Sequence, residues 1–127
     1  MLNNSSGFTL LEFLIATVVL MVGLLGMLQG INIAMEKNLD TVFRNEAVSL
    51  ADDLMMRQRG NSFTAIATVP KAAYPRNVRG ILKSYSAAVT IINPTTNSKQ
   101  INVDVSWSYK KAVKSHSISS AVSQIQN

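Results

Sequence analysis

Cysteine is absent from the 127 residues, which excludes disulfides and thiol chemistry. Histidine occurs once, at His116 in a serine-rich stretch, and a lone imidazole with so few donors nearby builds no metal centre. Acids are scarce in the second half: from Arg57 onward Asp104 is alone against ten Lys or Arg. A paired general acid and base is therefore missing there. Ser115, Ser117, Ser119 and Ser120 sit in no nucleophile-elbow pattern, and no Gly-rich phosphate loop occurs. Trp107 and Tyr109 have a strand spacing beside Val103 and Val105, which reads as core rather than as a base-stacking platform. No catalytic residue, metal or cofactor is expected.

What the chain does have is a long run without charge. Phe13 to Met35 would form a helix of roughly 35 Å, enough to cross a hydrocarbon core of about 30 Å. One acid, Glu12, stands where that helix begins. An acid at mid-membrane is unfavourable by about 2.5–3.5 kcal/mol, less near an interface. A cut after Gly7 would place the new α-amine of Phe8 one helical turn before Glu12. Opposite charges attract strongly in low dielectric, although desolvation consumes much of the gain. The pair could form within one chain or between neighbours, and spacing leaves both open.

The order Gly7-Phe8-Thr9-Leu10-Leu11-Glu12-Phe13-Leu14-Ile15-Ala16 closely resembles the class III signal of type IV prepilins and type II secretion pseudopilins. The resemblance implies cleavage between Gly7 and Phe8 by a membrane prepilin peptidase. It further implies N-methylation of Phe8, with Glu12 as the acid that aids entry into a filament. Val22-Gly23-Leu24-Leu25-Gly26 with Leu28-Gln29, and Ser49-Leu50-Ala51-Asp52-Asp53-Leu54-Met55 with Arg57, Arg59 and Asn61, is similar to the PilV-type minor pilins. The absence of Cys departs from many major pilins, whose C-terminal region a disulfide closes, and favours a minor pilin or pseudopilin.

Met1 to Gly7 then reads as a leader. It carries no Lys or Arg, and the first cations, Lys37 and Arg44, follow the span. The positive-inside rule thus lends no support to the topology the resemblance implies. Gly23, Gly26 and Gly30 each cost about 1 kcal/mol relative to Ala in a helix interior. They are candidates for a close-packing face, or for unwinding when helices pack together. In an isolated chain the helix should be continuous.

Past the span, Ile31, Met35, Leu39, Val42, Phe43, Ala47, Leu50, Ala51 and Leu54 recur in steps of three and four, one face of a helix. Arg57 and Arg59 suit its C-terminus, and Gly60-Asn61 stops it. Asn61 to Lys83, with Pro70, Pro75 and Gly80, reads as a loop with a short helical turn near Phe63 to Thr68. Three strands follow. Tyr85, Ala87, Val89 and Ile91 alternate with polar or small residues, as do Ile101, Val103, Val105, Trp107 and Tyr109. Asn93-Pro94-Thr95-Thr96-Asn97 and Lys110-Lys111-Ala112 are turns. The last strand, about Val113 to Val122, carries His116, Ile118, Ser120 and Val122 on one side.

The expectation is an α+β, pilin-like chain. Residues 1–7 are the leader, 8–35 the membrane and assembly helix, 36–59 an amphipathic helix on the head, and 60–127 a head with a small three-stranded antiparallel sheet. Tyr74, Arg76, Arg79, Lys110, Lys111 and Lys114 are candidates for a contact or anion-binding surface. The resemblance implies a structural subunit that enters or primes a type IV pilus, with roles in biogenesis, adhesion or motility. Its partners would be other pilins, the prepilin peptidase, an inner-membrane assembly platform and the membrane. It would lie in the inner membrane with a periplasmic head, then on the pilus. A type II secretion pseudopilin, or a DNA-uptake pilin whose basic head grips nucleic acid, is the alternative.

Overall fold

The computed structural model describes Gly7 and residues 9–124. Residues 1–6 and Phe8, on which most of the leader and the methylated terminus fall, lie outside the described residues, as do residues 125–127. A helix α1 (Leu10–Gly60) is followed by a 3-10 turn (Phe63–Ala65) and four strands. These are β1 (Val69–Val78), β2 (Ile81–Thr95), β3 (Ser98–Tyr109) and β4 (Ala112–Ser123). The chain forms two compact units, Met1–Leu39 and Asp40–Asn127, and α1 contributes to both.

The described part of the first unit is almost wholly helix, unbroken through Gly23, Gly26 and Gly30. Around these glycines a Cβ would meet nothing within 4 Å. The large apolar side chains from Leu10 to Met35 are exposed, Leu10 by 84% and Val18 by 51%. The helix is long and apolar enough to cross a membrane, and among the described residues nothing covers its most apolar window. A segment apolar on all sides finds its partners in lipid or in other helices.

In the second unit α1 is apolar on one stripe only. Phe43, Ala47, Leu50, Ala51, Leu54 and Met55 are buried. They meet the sheet face that carries Tyr85, Ala87, Val89, Ile101, Val103, Val105 and Trp107, all buried. Ala47 and Ala51, both 0% exposed, leave room for the sheet to come close. Ile31 and Met35, which continue the same periodicity, are exposed. Trp107 is 4% exposed, so it serves the core, not a stacking platform.

The sheet has four strands in the order β1-β2-β3-β4, all neighbours antiparallel, where the sequence suggests three. The extra strand, β1, lies in the stretch expected to be a loop. Its two prolines are tolerated because β1 is an edge strand, with one side that needs no N–H donor. Pro70 falls where the register with β2 is irregular, between Val69 and Ala72, and Pro75 stands opposite Ser84. The other edge, β4, holds an unbroken register with β3 from Ser123 to Ala112 and contains no proline.

Two hairpin loops have two residues each. Arg79-Gly80 joins β1 to β2, and Lys110-Lys111 joins β3 to β4. All four residues take positive φ: Arg79 51°, Gly80 82°, Lys110 47° and Lys111 65°. Such primed turns match the twist of paired strands but favour Asn and Gly, because a Cβ is crowded in that conformation. Replacing Lys110-Lys111 by Asn-Gly should therefore stabilise the folded chain by about 1–2 kcal/mol. Urea unfolding of the full chain in detergent reads this as a later midpoint with the same slope.

Candidate functional site

The start of α1 is closed by two reciprocal hydrogen bonds. The Thr9 amide donates to Glu12 Oε2 at 3.0 Å, and the Glu12 amide donates to Thr9 Oγ1 at 3.2 Å. Thr9 is thus the N-cap and Glu12 the third helical residue, the capping-box arrangement. The carboxylate also meets the positive end of the helix dipole there. Thr-x-x-Glu before an apolar run is a sequence signature of this box, distinct from the reading of Glu12 as an isolated charge. Gly7, at the expected cleavage point, is exposed and outside the helix. Thr17, the next polar side chain, satisfies its hydroxyl on the Phe13 carbonyl at 2.8 Å.

The six surface candidates of the head separate into two groups. Arg76 is on β1, with Nε 3.8 Å from Glu46 and Nη2 3.8 Å from Asp53 on α1. Asp53 also pairs with Arg57 at 3.2 Å. Lys114 on β4 reaches both carboxylate oxygens of Asp40 at 2.5 and 2.6 Å. Tyr74, expected in an exposed loop, is a half-buried β1 residue opposite Tyr85. Arg76 and Lys114 tie the sheet to α1, and Tyr74 lies on the same sheet face. Arg79, Lys110 and Lys111 instead stand exposed on the two hairpin turns.

Shallow clefts flank the helix. One, of about 700 Å³, is lined by Asn45, Val48, Ser49, Asp52, Asp53, Met56 and Arg76. Another, of about 230 Å³, is lined by Asp40, Arg44, Trp107, Lys114 and Ser115. Among the described residues no three His, Cys, Asp or Glu side chains come together.

Tyr85 joins helix to sheet. Its hydroxyl donates to the Phe43 carbonyl at 3.0 Å. Burial, and then the Glu46 charge, push its phenol from 10.0 up to about 12. The folded chain therefore keeps a proton that the unfolded chain loses between about pH 10 and 12. The stability this provides is complete below pH 10.0 and is lost as pH rises towards about 12. The loss is on the order of 2–3 kcal/mol. Tyr85→Phe should cost about 1 kcal/mol at neutral pH, for the lost hydrogen bond, and should flatten this alkaline limb. Urea unfolding at stepped pH checks both, and an unchanged limb would assign the titration to another group.

No curated protein and no solved structure matches the chain. Residues 2–28 do match a family model, the prokaryotic N-terminal methylation motif. The matched segment holds Gly7, the Thr9–Glu12 box and the first half of the exposed apolar helix. The amino-terminal part of this chain therefore carries a prokaryotic N-terminal methylation motif at the head of an apolar helix, consistent with a single-pass membrane anchor.

Proposed function

We propose that the chain is a type IV minor prepilin of PilV-like character. It is cut between Gly7 and Phe8, methylated on Phe8, and packed through its apolar helix into a pilus. The observation that carries this reading is the methylation-motif match on residues 2–28, which runs into an exposed helix of membrane length. Other pilins would take the place of lipid around residues 10–35, with Gly23, Gly26 and Gly30 where backbones come closest. The head then hangs on the α1 stripe, and its work is contact rather than chemistry. A pseudopilin of a secretion machine would use the same parts, and pulldown of pilus against secretin components separates the two.

The test is N-terminal sequencing with intact mass measurement of the protein from membranes. With active prepilin peptidase the mature chain should begin at Phe8 and carry the mass of one extra methyl group. A chain that retains Met1 to Gly7 under those conditions would remove the proposal.

A further inference from the structure

The two primed turns lie at the same end of the four-stranded meander, because β1–β2 and β3–β4 are alternate hairpins. That end belongs to the beginning of the helix stripe. Phe43 stacks edge-on to Tyr109 at 5.6 Å, Lys83 Nζ is 5.3 Å from the Phe43 ring, and Lys114 holds Asp40. The opposite end is marked by Lys99, which donates to the carbonyls of Phe63 and Ile66. Asp40 is only five residues beyond Met35, the last residue of the uncharged run.

Three observations meet at this end. First, the acids there are already engaged: Asp40 by Lys114 and Glu46 by Arg76. Arg44, Arg79 and Lys111 have no carboxylate partner among the described residues, and Lys83 and Lys110 lie over aromatic rings. Second, large apolar side chains are interleaved with the cations and left in the open. Ile81 is 45% exposed, Leu82 75% and Val113 79%. Leu82 and Val113 are both on the sheet face turned away from α1. Third, among the described residues the only non-glycine positions with positive φ are Arg79, Lys110 and Lys111. Cations occupy the positions where Asn or Gly would be less strained. Strain kept at a surface turn calls for a use of the side chains.

From this we infer that the two hairpin tips dock on an anionic lipid surface, with Leu82 and Val113 entering the headgroup layer beside Arg79 and Lys111. Cations with adjoining exposed aliphatics are the composition that holds a protein to such a surface, by charge attraction and apolar burial together. Nucleic acid would use the cations but gives Leu82 and Val113 no burial. The inference rests on the reading of residues 10–35 as a membrane anchor, since an anchor on the same chain keeps the head beside a bilayer.

The cysteine-free chain allows single labels. Spin labels at Leu82→Cys, Val113→Cys, Thr96→Cys and Met21→Cys would be compared in the full chain in lipid nanodiscs, with collision by a water-soluble nickel chelate as the readout. In discs containing phosphatidylglycerol, access at 82 and 113 should fall severalfold relative to phosphatidylcholine discs, while Thr96, on the opposite turn, stays open. Access at 82 and 113 should return in 1 M salt, where the Debye length is about 3 Å. It should also return in the Arg79→Asn, Lys111→Asn double variant, whose Asn residues keep the turn geometry. If 82 and 113 stay as open as 96 while Met21 is shielded, the docking is wrong and the anchor stands. If Met21 is open to the chelate, the anchor fails and the docking with it. Shielding of 82 and 113 by added duplex DNA, with none from the anionic lipid, would overturn the proposal in favour of a nucleic-acid surface.

Discussion

A chain carrying Glu12→Gln should reach the membrane, lose Met1 to Gly7, and still be missing from filaments. The reason is in the two roles that Glu12 combines. As a cap it accepts from the Thr9 amide at 3.0 Å. A glutamine amide oxygen can accept the same bond, since Glu and Gln both serve at this position of a capping box. As a charge it has no substitute in Gln. In a span otherwise empty of charge, an ionised carboxylate is costly until a cation meets it. The amine freed on Phe8 of a neighbouring subunit would be such a cation. Glu12→Ala loses both roles. If the acid acts only as a cap, Gln should rescue assembly and Ala should fail. If the charge draws subunits together, both should be absent from sheared filaments, at the level of a strain lacking the protein. Normal incorporation of the Gln variant would refute the charge role. Failure of the Gln variant to insert or be cleaved would refute it too, by moving the defect ahead of assembly.

The second large effect separates the two halves of α1. Leu50→Ala should lower the stability of the folded head by about 2–5 kcal/mol. Leu50 is 1% exposed, at the middle of the stripe under the sheet, where neighbours cannot collapse far into the void. That is a large share of the 5–15 kcal/mol by which such domains are usually stable. Ile31→Ala removes a similar side chain from the same helix, at a site 56% exposed. It should leave the head's stability within about 0.5 kcal/mol. Urea unfolding of the full chain in detergent, followed by Trp107 fluorescence, compares them directly. Equal losses would show that residues 10–39 and the head unfold as one cooperative body.

Much of this division was legible in the residues. The step of three and four from Phe43 to Leu54 is the stripe that the structure buries, with Met55 added and with Leu39 and Val42 only half-buried. The alternation of Ile101, Val103, Val105 and Trp107 is the central strand. Both rest on burial periodicity, which is strong when one face is dry and the other wet. β1 was hidden because its signals conflict. Pro70 and Pro75 argue against a strand, and only edge placement, a tertiary fact, makes them harmless. Its burial alternates only from Tyr74 to Val78, since from Pro70 to Ala73 all four residues are exposed. The Arg79-Gly80 turn was the available clue, but Arg is not a residue that announces positive φ. Among the surface candidates, Arg76 and Lys114 look like Arg79 and Lys111 in sequence. What distinguishes them is the acid across the helix, and that pairing depends on how α1 lies on the sheet. The Thr9–Glu12 box was fully written in the spacing.

The two rims of the sheet are unequal in a way that bears on handling the protein. β1 is guarded by its prolines and broken register, whereas β4 offers a full-length outer row of amides and carbonyls along a serine-rich strand whose one lysine, Lys114, is drawn to Asp40. At high concentration outside a bilayer, molecules will tend to add to one another along that open rim, sheet edge to sheet edge. One lysine or proline placed there on an outward-facing amide would act as a bumper and keep preparations dispersed.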